Sequence, residues 1–511
     1  MARRTRARRR QRPAADTAAG PAVEGGLAGG WYRPLADAAV VRIVDAAKEV
    51  LERTGIQVMP SPCRETFRAA GCRVDDDAHR VHIPAKLVDQ ALSVAANEVL
   101  LAGREEAHDL NLGGRRVYMG TGGQAVNIMD LAGRVRETRL RDNYDIGRLV
   151  GRLEHVHFYM RPVVSRDMPN HVIDVNQYYA CLAATPKHVM ANSYVPQSVA
   201  DVRRMGEVLA GGADAFDRRP VLSTSCCWTV SPLRYATETV EILDRIIEHR
   251  IPVAISSAPQ SGATSPAALA GTLVQITAEQ LSGFVYINLK RPGFPAVMGC
   301  VPAQVDLRTG AFTGGSGEFA LMNAAAAQIA QHLGLPLYNS SGIADSKLPD
   351  AQAGAETALT GLAAALAGAN YIHHSAGFLE SLLTVAYEQY VIDNDINGGV
   401  MRVVRGSEVT EETLSLDVID QVCRGEGHFL GHAQTLGLMN SEYVYPEVMD
   451  RASREDWEAE GAKDMRQAAR EKAREVLDSH FPQVIPPDLD GELRRLFDIR
   501  LSLDEMRRAA A

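Results

Sequence analysis

The chain has 511 residues, 46% of them apolar and 23% charged, enough for one large domain with extensions or for two to three domains. Its net charge of −9 argues against nonspecific attraction of the body to nucleic acid, and no uncharged apolar run approaches the ~20 residues of a membrane span. Seven cysteines without a CxxC pair suit unpaired thiols in a reducing cytoplasm, not a disulfide framework.

The chain starts MARRTRARRRQR, with seven arginines, and continues into PAADTAAGPAVEGG where a secretory signal needs an apolar core. Residues 1–30 therefore read as a disordered basic arm and linker, with an electrostatic tether as the alternative. Residues 31–112 read as a helical segment. ADAAVVRIVDAAKEVLERTG has helical spacing stopped by Gly55, and SPCRETFRAAG and AKLVDQALSVAANEVLLAG supply two more helices. VYMGTGGQAVNIMD followed by GRVRETRL predicts a β-hairpin.

Eight runs that read as buried parallel strands follow, each ahead of an amphipathic helix. They are VYMGTG, HVHFYMRPVV, HVMANSY, PVLSTSCCW, IPVAISSAP, FVYINLK, LPLYNSSG and NYIHHSAG, starting at 117, 155, 188, 220, 251, 284, 335 and 370. The repeat predicts an α/β fold of (β/α)8 TIM-barrel type over 113–396, with N-terminal and C-terminal helical extensions. A doubly wound sheet is the alternative, but GTGG at 120–123 lacks the glycine fingerprint that fold uses for nucleotides. Residues 397–511 read as a C-terminal helical extension. It includes a long solvated helix in REDWEAEGAKDMRQAAREKAREVLDSHF, and a homo-oligomer is expected.

Barrels place their working residues at the C-terminal ends of the strands. That rule selects Gly122, Gly123, Arg166, Asn192, Tyr194, Cys227, Trp228, Ser256, Asn288, Ser340, Asp345, His373 and His374, among others. His373 and His374 are adjacent on a strand and are expected to point to opposite faces, so at most one reaches the interior. Tyr159, Tyr194, Trp228 and Phe378 form a candidate cage for a cation, against core packing as the plainer reading. The long stretch before the seventh strand, GCVPAQVDLRTGAFTGGSGEFALMN, suits a pocket wall, with Glu318 at the start of the next helix. Cys423, His428 and His432 have ligand-like spacing, but no acidic residue stands as in HExxH, and no metal is assigned. No GxSxG, P-loop or kinase motif is present.

The segment YNSSGIADSKLPDAQAGAETALTGLAAALAGANYIHHSAGFLES, from Tyr338 to Ser381, together with GHFLGHAQTL and the arginine-rich start, resembles the trimethylamine methyltransferase family of corrinoid-dependent enzymes. The resemblance runs over almost the whole chain. It implies a barrel that receives a methylated amine at its mouth and passes the methyl group to a Co(I) corrinoid (cobalamin) carried by a separate small partner protein, with no cofactor tightly bound to the chain itself. Trimethylamine methyltransferases carry pyrrolysine in the loop after the seventh strand. Leu348, in DSKLPD, stands at the corresponding position, which makes the chain similar to the non-pyrrolysine members that demethylate glycine betaine and related quaternary amines.

The chemistry agrees with that departure. A quaternary nitrogen already carries its charge and leaves as a neutral amine, so the protein has mainly to position the methyl group and exclude water. On this reading Asp345 and Glu318 lie nearest the cation, and His373, His374 or Arg166 binds a betaine carboxylate. Two other readings compete: a metal-dependent barrel hydrolase or lyase, and a non-catalytic amine-binding barrel. The expected setting is the cytoplasm.

Overall fold

The computed structural model describes residues 22–508, so most of the expected basic arm lies outside the described residues. The larger compact unit comprises Gly25–Arg405 and Pro446–Ala511. It is a mixed α/β fold built on eight short parallel strands: β1 Arg116–Met119, β2 Tyr159–Met160, β3 Val189–Ala191, β4 Leu222–Cys226, β5 Val253–Ser257, β6 Ala296–Cys300, β7 Leu337–Ser340 and β8 Tyr371–His373. Sequence neighbours pair from β2 through β8, and β8 pairs in turn with β1, Tyr371 opposite Tyr118. The sheet is curled. A parallel bridge between Gly120 and Phe158, and an N–H of His157 donated to the Met119 carbonyl (2.7 Å), link β1 to the chain entering β2.

The strands are short because they are buried on both faces and need only a few residues each to cross the core. Tyr118, Phe158, Met160, Ala254, Tyr338 and Tyr371 point inward and pack in one cluster. Val99, Leu101, Leu110 and Leu112 of an antiparallel hairpin belong to the same cluster. That hairpin is tied to the starts of the strands by Ala102 N–H to Pro220 O (3.0 Å) and Arg104 N–H to Pro186 O (2.7 Å). It covers the N-terminal end of the sheet and leaves the C-terminal end for chemistry.

Each strand is followed by a helix: α1 Leu140–Val150, α2 Asn170–Ala184, α3 Ser198–Ala210, α4 Thr237–Glu248, α5 Leu269–Lys290, α6 Gly317–Leu333, α7 Ala351–Ala367 and α8 Tyr387–Arg405. α1 to α4 pack in chain order, as do α5 to α8, and the helix Met465–Ser479 packs on both α8 and α1.

Four sequence expectations change. FVYINLK is not the sixth strand but the end of α5, and β6 lies twelve positions further on at Ala296 (296 against 284). α5 is buried on nearly every side around Phe284–Ile287, so it lacks the polar face that marks an amphipathic helix, and a short apolar run does not separate helix from strand. Asn288 accordingly sits in that helix and not at a strand end.

The segment 31–112 carries its helices, Asp37–Glu49, Ser61–Ala69 and Ala85–Val94, but also strands Ile56–Val58, Arg73–Asp75 and Arg80–His82, which join Thr229–Val230 and Arg234–Tyr235 in a five-stranded sheet. The end of the expected linker, Leu27–Ala28, pairs antiparallel with β1. Backbone pairing of this kind needs no side-chain pattern, so an Ala/Gly-rich stretch gives no warning of it. The expected long solvated helix is two helices, Arg454–Ala459 and Met465–Ser479, and the second buries Ala469, Ala473, Val476 and Leu477.

The smaller unit is built on Gly406–Tyr445. Within it, Cys423 and His428 are exposed, and His432 caps the helix Ala433–Leu438 by accepting the Gln434 N–H at Nδ1 (3.1 Å).

Candidate active site

The C-terminal ends of the strands bring together two groups of side chains, joined by the turn Gly122–Gln124. The first comes from β7 and β8. His373 faces the interior and stacks on Tyr338, ring centres 3.9 Å apart. His374 does not turn away as strand alternation demands. Its backbone adopts φ +66°, the left-handed region, and this brings its ring to 4.0 Å from that of His373. Both imidazoles therefore stand at this end of the sheet, contrary to the expectation from adjacency.

His374 is fixed at both nitrogens. Nε2 lies 2.8 Å from the Gly123 carbonyl, which can only accept, so Nε2 carries the proton and Nδ1 accepts from the Ser340 hydroxyl (2.8 Å). Burial pushes its pKa down to about 4 and holds His373 well below the ordinary value, so both rings are neutral at pH 7. Phe378 packs edge-on to His374 at 4.7 Å. Gly122 is required here, because a Cβ on it would fall 1.9 Å from the His374 ring.

The second group surrounds Arg161, which directly follows β2 and is completely buried. Nη1 donates to Gln177 Oε1 and to the Tyr194 hydroxyl (3.0 Å); Nη2 donates to Gln124 Oε1 and to Asn192 Oδ1 (3.3 Å). Tyr194, 40% exposed, also donates its hydroxyl to Gln124 and lies with its ring 5.2 Å from the guanidinium carbon. The loop carrying Tyr194 is held by Asp174 of α2, whose carboxylate accepts the N–H groups of Tyr194 and Val195 and the Ser198 hydroxyl. Between the groups, Cys227 at the end of β4 is solvent-accessible and shares a hydrogen bond with the Ser256 hydroxyl of β5 (3.1 Å). Burial of its surroundings raises the Cys227 pKa, which keeps the thiol protonated.

The other expected site residues lie elsewhere. Tyr159 points outward, its hydroxyl donating to the Asn143 carbonyl of α1. Trp228 is buried against Tyr235 (4.1 Å) and against Gly283 of α5. Neither joins Tyr194 and Phe378 in a cage. Arg166 pairs with Glu137 on the surface (3.0 Å). Glu318 is exposed in the first turn of α6.

Asp345 braces loops: its carboxylate accepts the N–H groups of Gly314 (2.9 Å) and Gly315 (3.3 Å) and the Ser381 hydroxyl (2.8 Å). Leu348, three residues on in the same loop, is 46% exposed. Among the described residues no group of three or more His, Cys, Asp and Glu is placed to hold a metal ion. Arg161 is the residue that sequence reasoning passed over. Its signal was present, a lone charge within the apolar run HVHFYMRPVV and just ahead of a proline.

A curled parallel sheet whose strand ends gather neutral imidazoles, hydroxyls and a buried guanidinium defines an α/β enzyme of small molecules. A family model for trimethylamine methyltransferase (MTTB) matches residues 2–502. The chain belongs to that family, as the loop after β7 implied, and is a methyltransferase.

Trimethylamine methyltransferase MttB of Desulfitobacterium hafniense is 35% identical over 478 residues, covering 93% of this chain and 95% of its own. Glycine betaine methyltransferase of Desulfitobacterium hafniense is 30% identical over 464 residues, covering 91% and 96%. Among solved structures, the monomethylamine methyltransferase (MtmB) of Methanosarcina barkeri is similar at 14% identity and a TM-score of 0.46, over 86% of this chain and 94% of that one.

Proposed function

We propose that the chain is a (β/α)8-barrel enzyme that moves a methyl group from a quaternary amine of the glycine betaine type to the Co(I) corrinoid of a separate partner protein. Closure of the barrel is supported by the Gly120–Phe158 bridge and the eightfold strand–helix repeat. The reaction breaks one N–CH3 bond. Its electron pair stays on nitrogen, which leaves as a neutral tertiary amine, and the methyl group goes to cobalt as CH3+. The corrinoid is a co-substrate here, and supplies the nucleophile. The chain's own residues bind, orient and dehydrate the amine.

The observation that carries this reading is the nature of the strand-end groups. Burial makes His373 and His374 weak bases, both ring nitrogens of His374 are held in hydrogen bonds, and the Cys227 thiol is kept protonated, which speaks against any of them as the methyl acceptor. Leu348, at the position given to pyrrolysine in trimethylamine methyltransferases, offers only an apolar side chain. Reaction by direct transfer to an external acceptor suits both facts. A cytoplasmic setting is part of this reading, and the seven free cysteines and the need for reduced cobalt support it. Among the described residues no helix is long and apolar enough to cross a membrane.

The test is to mix the purified chain with a Co(I) corrinoid protein and a panel of glycine betaine, proline betaine and carnitine, with trimethylamine as control. Methyl-Co(III) absorbance is expected with one of the quaternary amines and not with trimethylamine. Methylation from trimethylamine alone overturns the proposal.

A further inference from the structure

Four arginines are buried among the described residues: Arg64, Arg148, Arg161 and Arg203. Three have a carboxylate partner. Arg64 meets Asp76 at 3.2 Å, Arg148 meets Asp145 at 2.8 Å, and Arg203 meets Glu207 and Asp217 at 2.9 and 2.7 Å. Arg161 is the exception. Among the described residues no carboxylate oxygen lies within 4.0 Å of its guanidinium, and its hydrogen bonds go to two glutamines, an asparagine and a tyrosine. Its Nε is buried with no hydrogen-bond partner. A guanidinium stays charged at any physiological pH, and leaving such a charge buried and unpaired costs several kcal/mol. A fold does not keep that arrangement at the end of a strand unless something else brings the negative charge.

We infer that Arg161 binds the carboxylate of the substrate, and that the enzyme therefore selects quaternary ammonium carboxylates over cations that lack an acidic group. This rests on the proposed methyl transfer from a quaternary amine and specifies its substrate. The partners of Arg161 are arranged for exchange. Tyr194 and Gln124 form its outer cover, one 40% exposed and the other half-buried, and both are neutral acceptors that a carboxylate outcompetes through a two-pronged, charge-assisted contact. Asp174 does not serve in their place, because its oxygens are committed to the N–H groups of Tyr194 and Val195 and to Ser198.

Charge at this end of the sheet points the same way. With His373 and His374 neutral, Arg161 is the cation among these strand-end groups, with the Asp174 carboxylate behind it already engaged by the Tyr194 loop, and a bare cation finds no partner there where a zwitterion does. The turn Gly122–Gln124 touches both groups: Gln124 holds Arg161, and Gly123 holds His374. A substrate anchored by its carboxylate at Arg161 directs its ammonium end toward His374, the residue held by the same turn.

Calorimetry on the full-length protein, without corrinoid, tests this with glycine betaine and tetramethylammonium as probes. Wild type is expected to bind glycine betaine at least roughly 10-fold tighter than tetramethylammonium. Arg161→Met is expected to lose roughly 10- to 100-fold for glycine betaine and nothing for tetramethylammonium, and Arg161→Lys to recover part of the loss. Circular dichroism checks that both variants are folded, since Arg161→Met also leaves the acceptors on Gln177 and Asn192 without their donor. Equal binding of the two probes by wild type, or glycine betaine binding that survives in Arg161→Met, overturns the role of Arg161 while leaving the quaternary-amine reading intact. Failure of wild type to bind either probe, and proline betaine and carnitine as well, overturns both.

Discussion

The Nε2–H of His374 donates to the carbonyl oxygen of Gly123 across 2.8 Å, and this one bond ties the end of β8 to the turn that also carries Gln124. It depends on an unusual backbone at His374, φ +66°, and on the absence of a side chain at Gly122. The two groups of the candidate site are thereby held in register by a neutral imidazole.

That neutrality has a pH signature. Burial lowers the folded His374 to about 4, whereas an unfolded imidazole titrates near 6.5. Between those values the unfolded chain binds the extra proton. The contribution is whole above about pH 6.5 and is lost as the pH falls toward 4. His374→Asn removes it, so the stability gap between wild type and variant should shrink by up to about 3 kcal/mol from pH 7 to pH 4, at about 1.4 kcal/mol per unit. Urea titrations of both proteins at pH 7, 6 and 5 measure the gap; a gap constant across that range would show that His374 is not held neutral.

Trp228 packs on Tyr235 and covers Gly283, where a Cβ would come within 2.4 Å of its ring. It belongs to the layer between sheet and α5. Trp228→Ala is expected to cost about 3–5 kcal/mol in stability, and the folded variant should keep the wild-type KM for its amine. A KM raised tenfold at unchanged stability would return Trp228 to the substrate site.

Much of this architecture was legible from short β-rich runs at a regular interval: six of the eight strands lie within the runs that announced them, and β1 starts one residue ahead of its run. The sixth was hidden because α5 is buried on nearly every side and ends in an apolar run that reads as a strand. Site residues were harder. Strand alternation places Tyr159 outward once Phe158 and Met160 are inward, so the aromatic reading failed on a rule visible in the sequence. The same rule misplaced His374, because nothing in NYIHHSAG states that the strand stops at His373 and the next residue turns left-handed. The strand-end rule selects Arg166 and passes over Arg161. Which of two arginines lacks an acidic partner is a tertiary fact, and Glu137 had already taken Arg166.

Arg148 of α1 is fully buried and reaches the C-terminal segment, donating to the Leu477 carbonyl (2.8 Å) and the His480 carbonyl (2.9 Å) while paired with Asp145. This is why the helix Met465–Ser479 is part of the core structure and not a solvated appendage. Arg148→Ala leaves two carbonyls without their donor and Asp145 with Arg141 alone (2.9 Å), a loss of about 3 kcal/mol. Limited proteolysis should then cut within 465–480 well before the rest of the chain. Unchanged cleavage kinetics would mean that apolar burial alone docks the helix.

Asp345 and Leu348 share the loop after β7 but do different work. The Asp345 carboxylate joins that loop to Gly314 and Gly315 ahead of α6 and to Ser381 beyond β8. Asp345→Ala breaks three bonds to one charged acceptor and is expected to cost about 2 kcal/mol or more. Asp345→Asn should recover part of this, because an amide oxygen still accepts one N–H. Leu348 is 46% exposed, so Leu348→Ala should change stability by less than about 0.5 kcal/mol. Glu318→Gln, at an exposed first-turn position, should be as mild. Methyl transfer measured beside urea stability separates the roles: a rate lost in Leu348→Ala at full stability assigns that side chain to the reacting end of the substrate, whereas a rate that follows stability across all four variants assigns the loop to scaffolding.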